Sequence, residues 1–452
     1  MRSAKTVLAV AAATAIVAAA GCSSSTSTGS TTGSGETAPT SLTVWRMGGS
    51  VPTEVTWMNG VIKQFHQVDG GKYKNTKVNV VWIPWANVST DFQNALTTGK
   101  NAPDISEIGN TLTPADAAAG MLYNMTSDVN SMSNKSDIVA GMLANDTVNG
   151  QIYGVPWYGG VRGVWYKKDQ FAAAGITSTP TTWAELVADA KKLQQKFPGT
   201  VGLAAPSDFT NGIVSWIWGA GGQVATKSGS QWTADLTTPA SEAGIKAYAD
   251  LYLTDKVSPS KYIGKTELGN PGATSGGPNE DFALGTVDMY MDGAWGQNTF
   301  PANKKDASNY ASFPLPSENG PNPAPAFAGG SDLAIWKTSK YPAADWALIQ
   351  EMDSTTNATS FGNLLGYFPA YTSVLNSNPV YTSSPVLSGF AKAAAYTQIS
   401  PLNSPNWGTA DISKYNIIPT MMKDLMDGAN FQATVQKANT ELTQVLNTGS
   451  ES

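Results

Sequence analysis

The chain holds one cysteine, Cys22, and one histidine, His66, in 452 residues. With so few soft donors, a Cys/His metal site is excluded, and so is any catalytic triad not built on His66. Charge is scarce as well. Asp, Glu, Lys and Arg make up 14% of the residues, acids outnumber bases 34 to 28, and the formal net charge is −6. No basic stripe is present to neutralise phosphates, so nucleic acid is not an expected partner. Beyond residue 21 no apolar run is long enough to cross a bilayer as a helix. Any transport step therefore belongs to partner proteins. No short-period repeat is visible, and no cofactor is expected.

What the chain has in quantity is flat, amphipathic side chains, with 14 Trp, 16 Tyr and 13 Phe beside 44 Gly. Its length fits two or three domains with cores of ordinary size.

The first residues read as a processing segment. Arg2 and Lys5 precede an apolar run from Val7 to Ala20, too short to span a membrane comfortably. The run ends in Ala19-Ala20-Gly21-Cys22, which resembles a bacterial lipobox, with Ala19 where Leu is usual. Cys22 is thus the expected lipidation site and new N-terminus; the alternative is ordinary A-x-A cleavage beside an unrelated Cys. Residues 1–21 are expected as signal peptide and 22–40 as a tether. The Ser, Thr and Gly of this tether cannot bury enough apolar area to order it. A lipid on such a tether would hold a soluble body at the outer face of the cell membrane.

From Leu42 onward the periodicity is α/β. Leu42 to Trp45 reads as a strand, followed by the turn Gly48-Gly49-Ser50. Trp57, Val61 and Phe65 mark an amphipathic helix, with His66 at its rim. Val78, Val80 and Trp82 alternate as a strand that Pro84-Trp85 ends, and Phe92, Ala95 and Leu96 mark another helix. Ala102-Pro103-Asp104 turns into the strand Ile105 to Ile108, with Asp104 expected to shape the loop. Strand, helix, strand, helix, strand predicts a parallel sheet. Ligands bind such sheets outside the carboxyl ends of strands, where Trp45, Trp85 and Asn110 fall.

A second α/β series starts after YGVPWYGGVRGVWYKKD at 153–169. Thr182 and Glu185 stand at capping-box spacing before a stripe of Trp183, Leu186, Val187, Ala190 and Leu193. The glycine pair Gly159-Gly160 predicts a bend where the chain crosses between two lobes. Trp157 and Tyr158 lie before it, and Arg162 and the strand Val164 to Tyr166 after it. Pro314 and Pro316 predict a second crossing. The expected lobes are discontinuous: 41–158 with 316–352, and 159–315 with 353–448.

These segments together resemble the family of extracellular solute-binding proteins of the sugar-binding type. The carrying stretches are FQNALTTGKNAPDISEIGNT at 92–111, YGVPWYGGVRGVWYKKDQFAAAGI at 153–176 and TPTTWAELVADAKKL at 179–193. WIWGAGG at 216–222, FALGTVDMYMDGAW at 282–295, FAGGSDLAIWK at 327–337 and LLGYFPA at 364–370 follow in family order. No single motif carries the resemblance; the ordered set does. It implies a bilobal periplasmic-binding-protein-like fold with several hinge crossings, closing around a carbohydrate such as a di- or oligosaccharide. It also implies delivery to an ABC permease driven by a cytoplasmic ATPase, and a monomer without catalytic activity.

A pyranose offers an apolar C–H face to aromatic planes and a rim of hydroxyls to Asp, Asn and Arg. The resemblance puts Asn110 and Thr111 in the loop that touches ligand, Trp157 and Tyr158 at the first crossing, and Asp292 and Trp295 in the family's D-G-x-W. It puts Gly330 and Ser331 in a loop whose backbone nears the cleft. Trp45, Trp85 and Trp218 are further candidates, although a Trp at helical spacing is more often core. Arg162 stands where some relatives carry an acid, which singles it out as a candidate for specificity. Two other readings remain open: a binding protein for polyamines, peptides or another solute, and a secreted glycoside hydrolase with paired carboxylates.

Overall fold

The computed structural model describes residues 37–98, 101–269, 276–299, 308–399, 401 and 404–450. The leader, Cys22 and residues 23–36 of the tether lie outside the described residues. Among the described residues no helix is long and apolar enough to cross a membrane.

The first sheet grows from Ser41–Met47, whose alternation buries Leu42 and Val44. Lys77–Ile83 pairs parallel on one side of it and Ile105–Gly109 parallel on the other. Asp104 locks that join. Its Oδ2 accepts from the Thr43 amide at 2.7 Å, and its own amide donates to the Thr43 carbonyl. Beyond Ile105–Gly109 the sheet departs from the all-parallel expectation. Gly329–Ile335 pairs antiparallel to it, then Val155–Gly160 antiparallel to that strand, then Phe368–Pro369 at the edge. The reason is topological: a strand that returns from a second lobe enters from the opposite end.

The second sheet runs in the order Tyr310–Phe313, Arg162–Lys167, Val287–Gly293, Val201–Ala204. Val161 alone separates Val155–Gly160 in the first sheet from Arg162–Lys167 in the second, directly after the glycine pair. Val164 and Trp165 are buried in that second sheet, and the Trp165 indole donates to the Gly293 carbonyl at 3.0 Å. The second crossing comes later than Pro314–Pro316. The Pro316 carbonyl accepts from the Trp183 indole at 2.7 Å, which holds that stretch in the second lobe. Ala326–Phe327 still pairs with Thr397–Gln398, and only at Gly329 does the chain join the first sheet. The boundary expected at 352 shifts too, because Phe368–Pro369 ladders onto Val155–Gly160 through Gly159 and Tyr158.

Helices cover the sheets as the apolar stripes require. Pro52–Phe65 packs on Pro342–Met352 and Thr355–Leu365 through Met58, Val61 and Phe65. His66 at its end bonds the Thr76 carbonyl through Nε2 at 2.9 Å, a role within the packing. In the second lobe Trp183–Lys196 starts on the expected capping box. The Glu185 amide donates to the Thr182 hydroxyl, and the Glu185 carboxylate accepts from the Thr182 amide, both at 3.2 Å. Thr182→Ala is expected to lower stability by about 0.5–2 kcal/mol. The check is the urea midpoint at unchanged slope; an unmoved midpoint would show that the cap contributes nothing.

Candidate functional site

The carboxyl ends of the three parallel strands meet under one exposed aromatic. Trp85 opens a short turn after Pro84 and keeps 47% of its surface exposed. Its ring lies over Gly109 and beside Gly48, so that a Cβ on Gly109 would stand 3.5 Å from it. Below this edge is a buried polar network. Arg46 forms an ion pair with Glu54 at 2.6 Å and a second with Glu107. Glu107 also accepts from the Met47 amide at 2.8 Å and from the Tyr158 hydroxyl, and Ser331 Oγ donates to that hydroxyl at 3.0 Å. The Arg46 guanidinium stands 5.3 Å over the Trp157 ring and 5.2 Å over Phe361. A cation so deeply desolvated is held by its two carboxylates and two ring faces.

Tyr158 carries the network toward the second lobe. Its ring stacks on Tyr367 at 4.1 Å between centroids, and Tyr367 in turn lies 5.7 Å from Trp295. Trp295 follows Val287–Gly293 in the 3₁₀ helix Ala294–Thr299 and is half-buried. Its six-membered ring rests directly on backbone: a Cβ on Gly160 would meet it at 2.4 Å and one on Gly293 at 2.1 Å. Behind it are Arg162, Asp292 and Glu267. Asp292 accepts from the Gly293 amide at 2.7 Å through Oδ1, while Oδ2 is buried with no hydrogen-bond partner among the described residues. Burial, then the neighbouring Glu267, lifts the Asp292 carboxyl well above the usual carboxylate range. Burial also lowers the Arg162 guanidinium, against the pull of Glu267 and Asp292.

An aromatic at the strand ends of each sheet, with buried polar groups between, is a geometry for holding a small polar solute. The profile described as bacterial extracellular solute-binding protein matches residues 49–359, more than half of the chain. This chain belongs to that family. Among curated proteins it is 29% identical over 304 residues to the diacetylchitobiose binding protein DasA of Streptomyces coelicolor, a match covering 66% of each chain. Putative binding proteins of Brucella abortus match at 25% over 302 residues, 65% of this chain and 68% of theirs. Among solved structures the GacH receptor of Streptomyces glaucescens, studied unliganded and with acarbose, superposes with a TM-score of 0.75 at 20% identity, over 91% of this chain and 99% of that one. A solute-binding protein of Thermotoga lettingae bound with α-D-tagatose gives 0.74 at 21%, over 90% of this chain and 100% of that one. The fold of this solute-binding protein is the bilobal, periplasmic-binding-protein-like one expected from its motifs.

The predicted site residues separate into three groups. Trp85, Thr111, Asp292 and Trp295 stand at or beneath the strand ends of the two sheets. Asn110, Tyr158, Gly330 and Ser331 stand there too but are engaged by the protein. The Asn110 amide donates to the Gly330 carbonyl at 3.0 Å, and its Nδ2 to the Ala328 carbonyl at 2.9 Å. A Cβ on Gly330 would stand 2.2 Å from the Tyr158 carbonyl, so glycine there serves strand approach. Trp45, Trp157 and Trp218 are in the core. Trp45 meets Phe92 and Trp336 edge-on, and Trp218 is buried in the helix Thr210–Gly219. Trp157 stacks on Phe361 at 4.4 Å, at a register shift that places two residues of its strand against one step of the next. Arg162 lies behind Trp295, under the crossing. Sequence reasoning missed Tyr367 and Glu267 as site residues. Tyr367 was legible in LLGYFPA as a motif member; Glu267 is one acid in a loop and carries no pattern.

The first lobe also encloses a carboxyl pair that no cation faces directly. Asp146 and Asp332 are buried and hydrogen-bond each other beside Gly154, with Thr113 donating to Asp332 at 2.6 Å and Glu107 nearby. Burial lifts Asp332 to about 6, and burial plus the charge of Asp332 lifts Asp146 well above the usual range. Burial lifts Glu54 to about 7 in spite of Arg46, and Asp116 to about 7. All four bind a proton more tightly folded than unfolded. Their contribution is complete below the unfolded value near ~4 and is lost as pH rises through the folded values. Stability is therefore expected to fall between about pH 4 and pH 8. Asp146→Asn, which keeps a donor toward Asp332 without titrating, should flatten the fall. Denaturation midpoints that drop equally in both proteins would refute the pairing.

Proposed function

We propose that this solute-binding protein captures a carbohydrate, a di- or oligosaccharide, between its two lobes and presents it to a membrane permease driven by a cytoplasmic ATPase. The observation that carries the reading is the aromatic set Trp85, Tyr367 and Trp295, divided between the strand ends of both sheets, with Asp292 beneath it. Flat rings take sugar C–H faces, and a buried carboxyl lacking a donor takes a hydroxyl. The proposed contacts are Trp85, Thr111, Tyr367, Asp292 and Trp295, with Asn110, Tyr158, Gly330 and Ser331 shaping the wall. The lobes in this reading are 41–160 with 329–383 and 161–328 with 384–448. Solute that touches both lobes only when they approach would shift an open–closed equilibrium.

The DasA and GacH relatives bind, by their names and descriptions, diacetylchitobiose and acarbose, which makes amino- and glucosaccharides the first probes. A polyamine reading draws on the carboxyls of Asp292 and Glu267 beside aromatic rings, but Arg162 among them opposes a cationic ligand. Binding, rather than hydrolysis, follows the family. Anchoring through a lipid on Cys22 completes the proposal, with the chain acting as a monomer.

Thermal-shift and calorimetric titration with diacetylchitobiose, maltose, maltotriose, acarbose and spermidine would test this, since a ligand that binds only the folded state raises its stability. A saccharide is expected to raise the unfolding temperature, and Trp85→Ala or Trp295→Ala to cost about 1–3 kcal/mol of its affinity. A shift with spermidine alone would sink the carbohydrate reading. For the anchor, Cys22→Ala should move the protein from the membrane fraction into the medium; an unchanged distribution would remove the lipid.

A further inference from the structure

Arg162 opens the strand that follows the first crossing, and its partner across the ladder is Gly293. Its guanidinium carbon stands 4.9 Å over the Trp295 ring and 5.3 Å over the Phe327 ring. A Cβ on Gly329 would come within 2.8 Å of its Nη1 and 2.6 Å of Phe327, so the return crossing is fitted around it. Glu267, Asp292 and Tyr367 are the titratable groups that face it. Trp295, for its part, rests on Gly160 and Gly293. The cation thus touches the ring at the site and both crossing strands.

We propose that Arg162 is a positioning residue: its planar cation fixes the Trp295 ring against the crossing glycines and so ties the ring to the hinge strands, without contacting solute. This replaces the expectation that Arg162 meets the ligand and sets specificity, and its binding arm rests on the carbohydrate reading above. A guanidinium suits the task because it stacks flat on aromatic faces, whereas an ammonium is a point charge.

The test is fluorine NMR of 5-fluorotryptophan-labelled full chain, with the Trp295 signal assigned by its disappearance in Trp295→Phe. In ligand-free protein, Arg162→Met should shift and broaden the Trp295 signal while leaving in place that of Trp232, in the antiparallel hairpin Ala225–Ser228 with Gln231–Ala234. Arg162→Lys, which keeps the charge facing Glu267 and Asp292, should shift it less and covers the case in which the Met variant fails to fold. With the saccharide that gives the largest thermal shift, Arg162→Met should weaken binding about tenfold in the wild-type background and have little effect in the Trp295→Phe background. An unmoved Trp295 signal in both variants would overturn the proposal, and so would an equal loss of affinity in both backgrounds, which would mean direct contact. The ligand-free arm stands whether or not a saccharide binds, so failure of the carbohydrate reading remains distinguishable.

Discussion

The close approach of two backbones at the lobe junction is the constraint on which the rest of the structure depends. Gly159 and Gly160 face Gly330 and Gly329 in one antiparallel ladder. None of these four glycines has a positive φ, so they do not turn the chain. Gly160, Gly329 and Gly330 leave room where a strand, a ring and a cation must share one small space, whereas a Cβ on Gly159 would meet nothing closer than 3.8 Å. The Trp295 ring takes the room above Gly160, the Tyr158 carbonyl takes that beside Gly330, and Phe327 with Arg162 takes that beside Gly329. The crossing is therefore thin and densely packed at once. Trp295 and Arg162 rest against these crossing strands, whereas Trp85 is seated on Gly48 and Gly109.

The polar interior of the first lobe extends from the same place. Arg46, Glu54 and Glu107 are all buried, and the Tyr158 hydroxyl joins them to the crossing strand. Such ion pairs contribute little over apolar packing, yet removing one partner from a buried pair costs about 3–5 kcal/mol because the other charge is left alone. The consequence is specificity of arrangement: Tyr158 has one place to go, and the stack of Tyr158, Tyr367 and Trp295 follows from it. Asp146 and Asp332 are buried beside Gly154, where burial lifts both carboxyls and the hydrogen bond they share raises Asp146 further and draws Asp332 down.

Much of the architecture was legible because it rests on local rules. The capping box at Thr182 and Glu185 and the strand Val164 to Tyr166 depend on neighbours a few residues away, and both are found as expected; Asp104 instead bonds Thr43, far away in sequence. The crossings are less local. The first lay in plain view as a glycine pair between two β-prone runs. The second was misplaced to Pro314–Pro316, because a proline marks a break in a strand but not the sheet to which the next strand belongs. The Trp183 indole, more than a hundred residues away in sequence, decides that.

The sequence by itself determined the family, the two α/β lobes and the supply of aromatic and polar residues at strand ends, because ordered motifs and periodicity are properties of the chain in one dimension. Tertiary structure alone decided which aromatics lie at the strand ends and which are core. Trp45, Trp85, Trp157, Trp218 and Trp295 are alike as letters. Trp85 is left exposed because glycines at 48 and 109 let its ring lie on the sheet edge, and Trp157 is buried because a register shift turns it onto Phe361. Arg162 shows the same division: its position at the crossing was readable, but its place against the Trp295 ring, with Glu267 and Asp292 nearby, is fixed only by the packing around Gly160, Gly293 and Gly329.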